Sequence, residues 1–178
     1  SVNIPDKVDK IPYHAFDHMG SLDGTITFGA NVEIIESYAF RSCLKLTGGL
    51  NIPDTVEYIG IYAFLYDGKL DGALKLSNTL TKIDHGAFHS CLKLTGTLTL
   101  PATLEIIGNA AFYRCEKITG SIVIPSKVDK IPYHAFDHML SIEGTLTIGE
   151  NVETIEAYAF RNNNKMRGDI VIPDKVES

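Results

Sequence analysis

The dipeptide Ala-Phe returns every 24 residues along the chain, at Ala15/Phe16, Ala39/Phe40, Ala63/Phe64, Ala87/Phe88, Ala111/Phe112, Ala135/Phe136 and Ala159/Phe160, with no insertion or deletion between copies. A fixed period of this length marks a solenoid: each copy is one coil, and its apolar face is buried only by stacking on the coils before and after it. The 178 residues therefore count coils, seven full ones with a partial coil at each end, in a single domain spanning 1–178. An array of this kind offers extended surface, whereas an active site needs a unique convergence of side chains that no repeat position supplies.

Aligned on the phenylalanine, the copies share a glycine (Gly24, Gly48, Gly72, Gly96, Gly120, Gly144, Gly168) followed by an alternating segment such as Thr97-Leu98-Thr99-Leu100. Period-two alternation closed by proline or glycine predicts one short strand per coil, and stacking predicts a parallel sheet running along the solenoid. Its inward positions are pairs such as Ile26/Phe28, Leu50/Ile52, Leu98/Leu100 and Ile170/Ile172. The outward positions include Thr25, Thr27, Asn51, Lys75, Thr97, Thr99, Thr145 and Thr147, which form the candidate binding face. Threonine also suits any exposed strand position, so each residue alone has an ordinary structural reading.

Pro5, Pro53, Pro101, Pro125 and Pro173, or Gly29, Ser77 and Gly149, punctuate the strand exit. Paired apolar residues three apart follow, as in Val32/Ile35 and Leu104/Ile107, and then the Ala-Phe pair. That spacing predicts a short extended piece and a turn or helical segment carrying Ala-Phe. The alanine would permit close approach of coils while the phenylalanines stack as an aromatic ladder.

Formal net charge is −6 and the basic residues are scattered singly, which excludes a phosphate-neutralising stripe and with it nucleic acid as a partner. Apolar runs are only a few residues long, far below the roughly 20 needed to span a bilayer. Cys43, Cys91 and Cys115 share one slot three residues after the phenylalanine, where other coils hold Met19, Asp67, Met139 and Asn163. Interchangeable occupants predict small packing residues rather than a disulfide framework, although a bridge between Cys91 and Cys115 is within reach at a coil spacing of about 4.8 Å. His14/His18, His85/His89 and His134/His138 have the i, i+4 spacing of a helical metal grip. No glutamate motif accompanies them, and they are read as solvent-facing. No nucleophile elbow, phosphate loop or C-x-x-C occurs, so neither catalytic nor cofactor-binding residues are assigned.

The run Leu100-Pro101-x-x-Leu104-x-x-Ile107-Gly108-x-x-Ala111-Phe112-x-x-Cys115-x-x-Ile118 resembles the BspA-like leucine-rich repeats of surface proteins from bacteria and parasitic protists. The likeness extends over all seven coils. Its local departure is the slot of Gly60 and Gly108, which holds Pro12, Glu36, Asp84, Pro132 and Glu156 elsewhere. The resemblance implies a right-handed leucine-rich-repeat solenoid, a cell-surface or secreted setting, and an extracellular protein ligand such as a host or matrix component. It brings no catalytic residues.

Residues 5–19 and 125–139 differ only at Asp6 versus Ser126, five coils apart, and the likeness continues from Asn31 to Arg41 against Asn151 to Arg161. Packing alone does not demand identical exposed residues, so the expectation is a recent block duplication within a longer array. Apolar coil faces at the two ends predict end-to-end self-association. The expectation is an adhesion solenoid binding protein through its strand face, with Tyr13, Tyr38, Tyr62, Tyr133 and Tyr158 as anchors on another side. The alternative is a structural array that assembles into filaments or a coat.

Overall fold

A computed structural model describes residues 1–177 and lays the chain out as stacked coils in which most paired residues sit beside their equivalents 24 positions on. The alternating segment forms the expected strands, Val2–Asn3, Ile26–Thr27, Leu50–Asn51, Leu74–Lys75, Ile122–Val123 and Leu146–Thr147. All pair in parallel, with registers such as Val2↔Ile26, Leu50↔Leu74 and Ile122↔Leu146. The inward residue of each is buried and the outward one exposed, as the pleat requires.

Two features depart from the single continuous sheet expected here. This face is divided into separate two-stranded pairs, and around residues 95–98 the ladder slips: Leu74 N and Leu98 N donate to the carbonyls of Thr95 and Thr119, two residues short of the regular partner. Gly96 and Gly120, at φ 89° and 91°, supply backbone conformations that let the chain cross there. The longest sheet is instead built from the second extended piece, where Lys10–Ile11, Ile34–Ile35, Tyr58–Ile59, Lys82–Ile83 and Ile106–Ile107 pair in unbroken order. Each coil thus has two strand sides. They are joined at a corner closed by an i→i+3 bond, such as Val56 N to Pro53 O at 3.0 Å or Leu104 N to Pro101 O at 3.0 Å.

The Ala-Phe segment is a chain of turns, and no described residue is helical. Its hydrogen bonds alternate in direction. Ala39, Arg41 and Cys43 donate back within the coil to Glu36, Tyr38 and Phe40, while Tyr38, Phe40 and Ser42 donate to Ile61, Ala63 and Leu65 of the next coil. A helix would satisfy all of these donors internally; the turns spend half of them on stitching coils together. The geometry needs positive φ two residues before and two residues after each phenylalanine, and those slots hold Tyr38 (60°), Ser42 (58°), Ala110 (54°), Arg114 (58°) and their equivalents.

The core is the phenylalanine ladder with its aliphatic flanks. Successive rings from Phe16 to Phe160 lie parallel, with centroids 5.0–5.5 Å apart and interplanar angles of 4–10°. Phe40, Phe64, Phe88, Phe112 and Phe136 are wholly buried, as are the alanines beside them. At the last coil the inward expectation for Ile170 and Ile172 does not hold. They are 52 % and 50 % exposed: no strand forms over residues 169–173, and an open groove of about 460 Å³ lies between this segment and Thr145–Ile148.

Candidate binding surfaces

The eight strand-face residues singled out by alternation, Thr25, Thr27, Asn51, Lys75, Thr97, Thr99, Thr145 and Thr147, are all exposed and stand on one side of the stack. Within the pairs they are in register, Asn51 beside Lys75 and Val123 beside Thr147, while Thr97 and Thr99 sit where the ladder slips. The face is shallow: Lys75, Thr97 and Thr99 line a depression of about 240 Å³, and Thr27 and Asn51 another of about 400 Å³. Such a surface suits a broad contact and encloses no small molecule.

The turn side carries a denser constellation. Asp17 stands at its centre, accepting hydrogen bonds from Arg41 Nε (2.8 Å) and Nη2 (2.7 Å) on the next coil and from His14 Nδ1 on its own. His18 Nε2 is 3.7 Å from the other carboxylate oxygen. His14 stacks on Tyr38 at 4.7 Å, the Arg41 guanidinium lies 4.6 Å over the same ring, and Tyr13 meets both edge-on. Glu36 fixes the approach, accepting from Tyr13 N and pairing with Lys10.

Five coils on, the arrangement is rebuilt with Asp137, Arg161, His134, His138, Tyr158, Tyr133, Glu156 and Lys130 in the same roles. In the first copy the hydrogen bond from Arg41 holds the Asp17 carboxyl below the usual carboxylate range. At Asp137, whose side chain is fully buried, burial pushes the carboxyl up, but Arg161, His134 and His138 outweigh it and the group stays low.

The histidine pairs are therefore placed on turns, not on a helical face, and the two duplicated pairs converge on a carboxylate. The middle pair diverges. His85 Nε2 meets Tyr62 Oη at 2.5 Å, while His89 Nδ1 meets Ser90 Oγ at 2.9 Å. The tyrosines proposed as anchors line this side, with Tyr13, Tyr133 and Tyr158 at 60 %, 42 % and 49 % exposure. Sequence reading missed the Asp–Arg pair, although it was legible: Asp17 and Arg41, like Asp137 and Arg161, occupy one repeat column on adjacent coils with opposite charge.

The three cysteines are buried. Each sulfur donates to a phenylalanine carbonyl on the preceding coil, Cys43 to Phe16 (3.0 Å), Cys91 to Phe64 (3.1 Å) and Cys115 to Phe88 (3.2 Å), and all three thiols are free. Burial pushes the Cys43 thiol up to about 12 and raises the Cys91 and Cys115 thiols as well, which removes them as nucleophiles.

Against known proteins, the chain matches the BspA type leucine-rich repeat region in six copies, over residues 1–119 and 81–178. It belongs to the BspA-type leucine-rich repeat family. Among solved structures it superposes on a leucine-rich repeat protein from Bacteroides ovatus with a TM-score of 0.80 at 25 % identity, over 98 % of this chain and 46 % of that one. A leucine-rich cell surface protein from Faecalibacterium prausnitzii superposes with a TM-score of 0.50 at 20 % identity, over 98 % of this chain and 73 % of that one. This BspA-type array thus spans less than half the length of the Bacteroides ovatus protein. No curated protein matches it in sequence.

Proposed function

We propose that this BspA-type array is displayed at a cell surface or secreted, and that it binds an extracellular protein, such as a host or matrix component, through its strand face without catalysis. One observation carries the reading: the strand-face residues of successive coils are exposed together on one side, while the alternating residues between them bear the core. That side is free to vary without cost to the stack, and affinity would be summed over many small contacts. The Faecalibacterium prausnitzii relative is a cell surface protein, which supports the setting.

The test is surface-plasmon binding of the purified chain to a panel of immobilised extracellular matrix proteins. Binding should be lost on Thr97→Glu with Thr99→Glu and retained on Tyr133→Ala with Tyr158→Ala. A second reading is favoured by the exposed Tyr-His-Arg cluster, built twice from the same residues: the turn side is the docking face. It predicts the reverse pattern in the same experiment, and unaltered binding by both variants would contradict the two readings together.

A further inference from the structure

Asp67 occupies the cysteine column and is completely buried. One of its oxygens, Oδ1, accepts from Cys43 N at 2.8 Å; the other, Oδ2, is the one buried side-chain oxygen or nitrogen among the described residues without a hydrogen-bond partner. The other occupants of the column indicate a partner for that second atom. Asn163, two repeats from the last cysteine, places its Oδ1 on Met139 N at 2.9 Å and donates from Nδ2 to the Phe136 carbonyl at 2.9 Å. Cys43, Cys91 and Cys115 likewise donate from sulfur to the phenylalanine carbonyl 27 positions earlier. The polar occupants of this slot on the coils to either side of Asp67, Cys43 and Cys91, and those farther along, Cys115 and Asn163, thus all donate to that carbonyl, and the equivalent carbonyl for Asp67 belongs to Phe40.

We propose that Asp67 is held as the neutral acid in the folded array, its Oδ2–H donating to the Phe40 carbonyl, and that this proton is a pH-sensitive latch between coils 29–52 and 53–76. An ionised carboxylate offers acceptors only, so it would set Oδ2 against a buried carbonyl oxygen and leave a buried charge with the Cys43 amide but no counter-charge. The titratable groups that face Asp67 from the coils on either side are the thiols of Cys43 and Cys91, both held neutral by burial, so no cation compensates. Burial accordingly pushes the Asp67 carboxyl well above its ordinary 3.8, against the smaller opposing pull of the Cys43 amide.

The sign follows. Above the unfolded value the folded array holds a proton that the unfolded chain has released, so rising pH weakens the stack until the folded group itself ionises. This is opposite to Asp17 and Asp137, whose contributions are lost as pH falls.

The experiment is denaturant unfolding of the full chain from pH 4 upward, compared with Asp67→Asn, the residue that fills this slot at 163, and with Asp67→Cys, the residue of three other coils. The ratio of wild-type to variant unfolding constants should grow about tenfold per pH unit until the folded group titrates. At about pH 6, where exposed carboxyls are ionised, difference infrared spectra should show the carbonyl band of a protonated acid in the wild type that both variants lack. A pH-independent ratio, or no such band, would overturn the proposal. Either variant suffices if the other fails to fold, because both restore a donor without a titrating carboxyl.

Discussion

At the scale of single residues, the array tolerates backbone strain to obtain its stitching. Positive φ at a residue other than glycine costs on the order of 1–2 kcal/mol, and the two turn slots carry it in every coil, with Gly86 alone avoiding it at its slot. Ala110 isolates the effect because its side chain adds little. Ala110→Gly should stabilise the array by about 0.5 kcal/mol, the relief of strain exceeding the added freedom of the unfolded chain, and Ala110→Val should destabilise it by more than 1 kcal/mol. Denaturant midpoints that fail to rank Gly above Ala above Val would contradict the turn geometry.

The twin carboxylates make a pH prediction at the same scale. Asp17 and Asp137 have depressed folded values, so their stabilisation is complete above the unfolded value near 3.8 and is lost as pH falls through the folded one. Asp137→Asn should cost about 1.5–3 kcal/mol near neutrality, the worth of charge-assisted hydrogen bonds to a buried acceptor. It should cost almost nothing in strong acid, where residue 137 is neutral in both proteins. Melting temperatures measured across that range check the convergence.

At the scale of the coil, the alternating strand, the corner turn and the Ala-Phe ladder were legible because each rests on a periodic apolar pattern. The second strand side was legible as a short extended piece, but not as the longest sheet of the array. Its inward residues, such as Val32 and Ile35, are three apart and cross the corner, so no two-residue alternation announces Lys10–Ile11 or its equivalents. Between a turn and a helical segment for Ala-Phe the sequence left the choice open, since the positive-φ slots that mark the turns hold mostly Tyr, His, Ser, Arg, Ala and Asn, with glycine only at Gly86. Asp67 was visible only as one more occupant of a mixed column; its significance needed the burial and the orphaned oxygen.

The variable slot of Gly60 and Gly108 acquires a local reason. A Cβ on Gly108 would overlap the backbone of Asp84 and His85 on the preceding coil. Gly108→Ala should therefore cost about 1–3 kcal/mol through forced separation of coils, a typical overpacking penalty. Thermal unfolding of that variant would show it, and an unchanged midpoint would mean the coils are less tightly apposed than described.

At the scale of the whole molecule, the strand face and the turn side are rigid only because coils stack, each touching its neighbours and nothing farther away. In such a one-dimensional array, stability is set by nearest-neighbour interfaces, and damage spreads from its site instead of collapsing one global core. Amide hydrogen exchange on Phe88→Ala and Phe160→Ala tests this most directly. Phe88 is wholly buried between two rings, so its loss should cost about 3–5 kcal/mol and deprotect the coils on both sides of residues 77–100 most strongly. Phe160 stacks on Phe136 at one face only, so its loss should cost less and leave the coils before residue 125 protected. Uniform loss of protection along the chain in both variants would contradict the stacked-coil account.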